Sequence, residues 1–567
     1  MADATKRPEE KAGLWWLPPT GWLRDYHPLW LRSDVVAGVT LAAYAIPVSL
    51  AYATLADLPP QVGVYGYLLG GLGYALFGTS RQLAVGPTSA ISLMIAGTVA
   101  PMAAGDAQRY AEIASLAAFV TAALCLFAWL LRLSALVKLI SDSILVGFKA
   151  GAGLTIAMTQ LPSLLGVAGG GHNFFERVWL LLGELGDVKP IVLLVGLVAI
   201  GLIVLGERLL PGRPIALAVV ALSILAASLL GLPALGVPVT GKIPAGLPSL
   251  AGPALRLSEA EGIFPLAAGC LLLAYVEGVS AARTFAAKHG YALDPRQEFL
   301  GVGAANLAAA MGQGYPVAGG LSQSAVNDKA GARTPLALVF ASITLALCLL
   351  FLTGLLENLP KAVLAAIVLT AIYGLLDFPA LIRMWHVSQL DFRAAAIALV
   401  AVLVLGILNG ILLAALASIM LLLMRVSNPH VAFLGRVPGT DSYSDMDRHP
   451  ENEPLSNVIV FRPEASLIYV NAESVLDRVV ERLRAASGAI KLVVCDLSAS
   501  PYVDLAGARM LHALHDELAA RRIPLRIIGA HGAVRDLLRA EGVDKNAGEL
   551  SRSLTLHALL SGDSQRG

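Results

Sequence analysis

Residues 78–92 read GTSRQLAVGPTSAIS and residues 312–326 read GQGYPVAGGLSQSAV. Each is a short apolar run led in by glycine and proline, which reads as a half-helix starting inside a membrane. Working outward, apolar runs able to cross or half-cross a bilayer lie at roughly 35–56, 61–77, 88–103, 109–131, 141–164, 189–206 and 213–232. A proline-rich break from Pro233 to Gly262 follows, and then runs at about 264–287, 296–312, 321–331, 335–356, 361–376, 391–408 and 410–427. The two broken runs are each third in a set of seven, one entered from inside and one from outside. Matched broken helices at corresponding places are the sign of an inverted repeat whose half-helices meet near the bilayer midplane. Packing of helices through small residues would explain one such segment, but two in register point to a binding site.

The composition agrees. Of 567 residues 56% are apolar and only 14% charged, outside the range of soluble chains. Charged residues thin out across 35–427 and crowd into the last 140 positions, so a membrane block is followed by a soluble tail. A net charge of +1 leaves no footprint for nucleic acid. Cys125, Cys270, Cys348 and Cys495 show no paired spacing, so neither a disulfide framework nor a metal site is expected, and no cofactor. No nucleophile with its base and no phosphate loop appears, so the chain reads as a non-enzyme.

An even number of crossings puts both termini on one side, and Lys6, Arg7, Arg24, Arg32, Arg81, Arg132, Lys138, Arg208, Arg213, Arg333, Arg383 and Arg425 assign it to the cytoplasm. Trp15, Trp16, Trp22 and Trp30 suit a segment lying on that surface, and the N-terminus lacks the pattern of a cleaved signal peptide. The expected divisions are an N-terminal cytoplasmic segment 1–34, a transmembrane domain 35–427, a linker 428–455 and a C-terminal domain 456–567. In the last, strands at about 457–461, 466–470, 491–496 and 524–529 alternate with helices at 472–486, 505–520 and 532–541, an α/β pattern.

Glu277 lies deep in the eighth run, in LLLAYVEGVSAAR, and the nearest base in sequence is Arg283. A carboxylate inside the membrane is costly and by default functional, and this one can carry a proton, the alternative being a structural hydrogen bond or an ion pair with a distant base. Arg283 lies closer to the cytoplasmic end and reads as an anchor there.

The ordered stretches PVSLAYATLADLPPQVGVY from Pro47, GTSRQLAVGPTSA from Gly78, DPRQEFLGVGAAN from Asp294 and SAVNDKAGARTP from Ser324 resemble the sulfate permease (SulP) anion transporters, whose animal members form solute carrier family 26. The tail resembles a STAS domain. The resemblance implies fourteen membrane segments in two inverted repeats of seven, a core domain moving against a gate domain, a homodimer, and an inner (plasma) membrane location. It also places the anion site at the two half-helix starts: Thr88, Ser89 and Ala90 on the third segment, Leu321, Ser322 and Gln323 on the tenth, with Tyr52 of the first closing the pocket. A desolvated anion needs donors and positive potential, which helix N-termini supply as unpaired N–H groups and about half a positive charge each. Several animal members carry arginine where this chain has Gln323, so a full positive charge is expected to be missing from the site.

An acidic residue at the position of Glu277 is associated with cation coupling in prokaryotic relatives. Sodium needs several oxygen ligands, and one turn after Glu277 stands Ala281, which favours a proton as the coupling ion by a narrow margin, since Ser280, Ser322 and backbone carbonyls can still contribute oxygens. The expected function is therefore proton-coupled secondary transport of a small anion, sulfate or a C4-dicarboxylate first. A sodium-coupled bicarbonate transporter and an uncoupled exchanger or channel are the alternatives. In the tail, DLSASPYVDLAG from Asp496 resembles the anti-sigma antagonist loop, but Leu505 stands where that loop has its phosphorylated serine. The tail is expected to act as a dimer contact or as a docking surface for a cytosolic partner.

Overall fold

The computed structural model describes Trp22 and residues 26–134, 141–171, 173–210, 213–253, 257–373, 376–486, 489–544, 550 and 554–561. Trp15, Trp16, Lys6, Arg7, Arg24 and Lys138 fall outside these residues. The chain divides into two compact units, Met1–Ser418 and Ile419–Gly567.

Every expected apolar run lies on a helix, the last of them continuing past Ser418, where the first unit ends. These are α1 (Leu31–Leu55), α2 (Pro60–Phe77), α3 (Ser89–Ala103), α4 (Ala107–Leu130), α5 (Asp142–Leu165), the short α6 (Phe174–Gly183), α7 (Pro190–Leu209), α8 (Ile215–Leu229) and α9 (Leu257–His289). Then follow α10 (Pro295–Met311), α11 (Leu321–Lys329), α12 (Leu336–Phe351), α13 (Lys361–Tyr373), the short α14 (Phe378–Val387) and α15 (Gln389–Ser427). Among the described residues seven helices are long and apolar enough to cross a membrane, while α3, α8 and α12 are apolar but shorter. The last two expected runs share α15, which breaks at Gly406, where φ is 83° and ψ 171°, a backbone state open to glycine. Helices α6 and α14, expected as loops, carry exposed Phe175 and Trp179, and Phe378, Ile382 and Trp385. Their apolar faces lack the length of a crossing, so the run-length reading passed over them.

Two packing groups make up this unit. In one, α10 packs on α2 and α4, α12 on α1 and α2, and α9 on α4; in the other, α13 packs on α5 and α7. The broken segments belong to the first group. The strands β1 (Val85–Gly86) and β2 (Ala318–Gly319) pair antiparallel, Val85 with Gly319 and Gly86 with Ala318. This two-residue pairing crosses the two repeats and delivers α3 and α11 to their starting points from opposite directions. It needs small residues: a Cβ on Gly86 would lie 2.2 Å from the Tyr67 ring, and one on Gly319 3.0 Å from the Gly278 Cα. Asn306 fixes the incoming strand from α10, its Nδ2 donating to the Val317 carbonyl and its Oδ1 accepting from the Val317 amide, each at 3.0 Å.

Two buried carboxylates elsewhere in the unit are fully engaged. Glu298 accepts from the Tyr74 hydroxyl and the Thr79 amide, and Asp34 from the Arg333 and Thr334 amides. Both sit where a chain turn would otherwise bury unpaired backbone groups, which is a structural use of charge.

The second unit is a five-stranded sheet in the order β4 (Tyr443–Asp445), β3 (Val431–Arg436), β5 (Val458–Pro463), β6 (Leu492–Asp496), β7 (Leu525–Ile528). The last three strands are parallel and joined through α16 (Ala472–Ala485) and α17 (Leu505–Ala520), and α18 (Gly532–Ala540) follows β7. Alternation along the strands fills both faces. Phe433, Phe461 and Cys495 go to one core, and Ala432, Val460 and Val494 to the other, which is closed by Leu556 of α19 (Leu556–Leu560).

Two expectations are corrected here. The stretch 428–455 is more than a linker, because β3 and β4 lie within it and β3 pairs antiparallel with β5 over Val431–Pro463, Ala432–Arg462 and Phe433–Phe461. Its polar turn residues concealed a hairpin, tied by His430 Nε2 at 2.7 Å from Asp445 Oδ2. Burial alone would raise the Asp445 carboxyl, but the bonds from His430 and the Asp447 amide together hold it below the usual carboxylate range. The expected strand 466–470 is a loop with one bridge, Leu467 to Val503. The Asn471 side chain takes its backbone groups, accepting from the Ile468 amide and donating to the Ser466 carbonyl, and so replaces a sheet ladder.

Candidate functional site

The β1–β2 crossing sets the starts of α3 and α11 against one cavity of about 150 Å³. Thr88 precedes α3 with extended backbone (φ −128°, ψ 151°), and Gly320 precedes α11 likewise (φ −108°, ψ 138°). Neither offers a side-chain cap, so the first amides of both helices keep their donors unpaired. Thr88, Ser89 and Ala90 line the cavity from one side and Leu321, Ser322 and Gln323 from the other. Tyr52 and Glu277 line it too, so the expected anion-site residues and the expected coupling carboxylate share one space.

Local packing explains how each arrives. Tyr44, Val48 and Tyr52 recur at four-residue spacing on α1 and present one stripe to the cavity. On α9 the bare backbone of Gly278 meets that of Gly319, which draws the neighbouring Glu277 to the start of α11. Arg283, six residues on, faces a different cavity with Ser141, Asp142 and Thr284. The Thr88 Oγ1 is buried and has no hydrogen-bond partner among the described residues. A buried hydroxyl left unpaired beside unpaired amides is a cost that a ligand would remove.

Gln323 differs from the expectation in detail. Its side chain folds back over Gly320, and its Nε2 donates to the Ala318 carbonyl at 3.2 Å, so one of its two N–H donors serves the turn before α11. The second correction concerns charge: a full positive charge is present after all, supplied by Lys149 of α5. Gly147 and Gly151 press α5 against α15, where a Cβ on Gly147 would fall 1.9 Å from the Ala395 carbonyl oxygen. Lys149 stands on the opposite face, toward the cavity, and its charge acts on Glu277. The signal was in the sequence, since a lysine in the middle of an apolar run obeys the rule that marks Glu277. Tyr44 and Ser280 also line the cavity. The Ser280 hydroxyl is thus one of the oxygens open to a cation, as is that of Ser322.

The site can therefore surround a small anion with helix-end donors, hydroxyls and one ammonium, and holds one carboxylate able to carry a proton. Among the described residues no group of three or more His, Cys, Asp or Glu is placed to hold a metal ion.

Comparison with known proteins follows this geometry. The sulfate permease family pattern matches residues 31–398 and the STAS domain pattern residues 449–556. A probable sulfate transporter of Mycobacterium tuberculosis is 34% identical over 541 residues, covering 95% of this chain and 97% of that protein. The chloroplastic sulfate transporter 4.1 of Arabidopsis thaliana is 29% identical, covering 93% of this chain and 79% of its own. Among solved structures, murine solute carrier 26 family member A9, an anion transporter in the inward-facing state, superposes with a TM-score of 0.86 at 21% identity, covering 99% of this chain and 96% of that one. The transmembrane domain of the cyanobacterial bicarbonate transporter BicA superposes with a TM-score of 0.60 at 22% identity over 70% of this chain and 98% of that one.

Proposed function

The chain belongs to the sulfate permease family of multi-pass membrane transporters, with a C-terminal STAS domain, and from that premise we propose that it is a proton-coupled secondary transporter of a small dianion, sulfate first and a C4-dicarboxylate second. The observation that carries this reading is the pair of uncapped helix starts opposed across one cavity with Glu277 beside them. The anion binds between the starts of α3 and α11, and Thr88, Ser89 and Ser322 add hydroxyl donors to the amides of Ala90 and Leu321. Gln323 shapes the turn, Tyr52 closes the space, and Glu277 takes up the coupling proton. Fourteen segments carry the chain across the inner membrane with both termini in the cytoplasm. Alternating access moves the group containing α3, α9 and α11 against the group containing α5 and α13. The protein works as a homodimer, and the tail offers a dimer contact or a docking surface, with Leu505 in place of a phosphorylated serine.

The relatives named as sulfate transporters support the choice of sulfate. A second reading is sodium-coupled bicarbonate transport. It is favoured by the Ser280 hydroxyl beside Glu277, which together with Thr88 would offer oxygen ligands.

The test is uptake into proteoliposomes of labelled sulfate, a C4-dicarboxylate and bicarbonate under an inward proton gradient, with a sodium gradient as a separate arm. Sulfate accumulation driven by protons is expected, and Glu277→Gln should abolish accumulation while leaving exchange intact. Proton-driven accumulation by Glu277→Gln equal to that of the wild type would sink the coupling role.

A further inference from the structure

Helix ends contribute about half a positive charge each, so the two starts facing the cavity together supply about one. Lys149 adds a full one. Among the described residues its ammonium makes no ion pair within the usual distance, although the Glu277 carboxylate lines the same cavity. The other titratable groups on the cavity wall are Tyr44 and Tyr52, both from α1, and Glu207 of α7 acts on Tyr44 from outside it. The charge of the empty site is thus set by one lysine, one glutamate and two helix ends. It is about +1 with Glu277 ionised and about +2 with Glu277 protonated.

The cost of holding net charge in a low-dielectric site grows steeply with that charge, so the favoured loaded states are those near neutrality. A dianion reaches neutrality only with Glu277 protonated. A monoanion reaches it only with Glu277 ionised. We propose that Lys149 supplies the second positive charge of the anion site, so that a divalent anion enters together with one proton on Glu277 and a monovalent anion enters without one. This rests on the anion reading of the cavity and gives it a substrate class and a stoichiometry. It also accounts for the absence of arginine at Gln323, because the full charge comes from α5, in the other packing group. A charge contributed across the two groups binds the anion from both, and its contact with the anion is made or broken as they move.

The test is calorimetric titration of the full-length protein with sulfate and with nitrate, each in two buffers of different ionisation enthalpy and across a pH series, so that protons taken up per anion are read directly. The wild type is expected to take up close to one proton with sulfate, above the pH at which Glu277 ionises in the empty protein, and close to none with nitrate. Lys149→Gln should lose at least about tenfold in sulfate affinity and should now take up a proton with nitrate, because its site is about +1 only when Glu277 is protonated. Lys149→Arg should keep the wild-type pattern, and Glu277→Gln should bind sulfate without proton uptake. Equal proton uptake with both anions in the wild type overturns the proposal without recourse to any variant. So does sulfate affinity in Lys149→Gln within twofold of the wild type at an unchanged proton count. Wild-type protein that binds neither anion overturns the transport reading itself, a result distinct from both.

Discussion

The start of α3 and the start of α11 use one backbone device in two settings. Thr88, Ser89 and Ala90 are buried, at 8%, 8% and 5% exposure, and Ala90 belongs to the main apolar core of the unit. On the other side Leu321 is 57% exposed, Ser322 is open to the cavity, and Gln323 gives one of its N–H donors to its own turn. An inverted repeat therefore duplicates the helix start and its dipole without duplicating the packing around it. One end is a rigid wall and the other an open lip. Donors held in a rigid wall are preorganised for a ligand, while those on a lip gain less, because they are already solvated when the cavity is empty.

That contrast can be broken outright at the crossing that both ends share. Gly319→Leu would push a side chain into Leu83 and the Gly278 backbone, and is expected to cost about 3 kcal/mol or more of stability, read as a fall in melting temperature. Melting like the wild type would show that the two starts do not depend on the β1–β2 pairing.

The asymmetry itself is measured by matched substitutions. Ala90→Leu, in the packed wall, should weaken anion binding about a hundredfold, and Ser322→Leu, on the lip, about tenfold. Equal losses would remove the distinction between the ends. Asn306→Ala sharpens it from behind, because Asn306 ties α10 to the strand that leads to α11. A loss of roughly 1–3 kcal/mol in stability is expected, and anion affinity should fall in parallel as the lip loosens. Intact affinity in a destabilised protein would mean that the strand's position does not matter to the ligand.

The smallest effects distinguish an unpaired donor from a solvated one. Thr88→Val removes a buried hydroxyl that has no partner among the described residues, so it should weaken anion binding while raising the melting temperature of the empty protein. Ser322→Ala should cost only about 0.5–1.5 kcal/mol of binding and leave the melting temperature unchanged. A stability loss in Thr88→Val would show that its hydroxyl already serves the fold.

Much of this site was legible before any coordinates. Glycine and proline before a short apolar run mark a broken helix wherever it occurs, and Glu277 stands out because charge inside an apolar run is expensive. Lys149 obeys the same rule but stands in GFKAGAG, where small residues suit close helix packing. In the structure Gly147 and Gly151 pack on α15 and Lys149 faces the cavity. In the tail, the hairpin of β3 and β4 was missed because its strands are short and its turn residues are those of a linker.

Hydropathy and local periodicity are properties of neighbouring residues, so the sequence by itself determined the membrane character, the broken segments in matched places, the α/β tail and the intramembrane carboxylate. Only the tertiary structure decided that Lys149 and Glu277 line one cavity, that Gln323 turns back onto the Ala318 carbonyl, and that residues 431–436 join a sheet with strands beginning more than twenty positions later. Each of these depends on which faces of distant elements come together, and close packing settles that through single atoms: the missing Cβ of Gly147 and Gly319 lets two backbones touch, and every side chain nearby takes its direction from that contact.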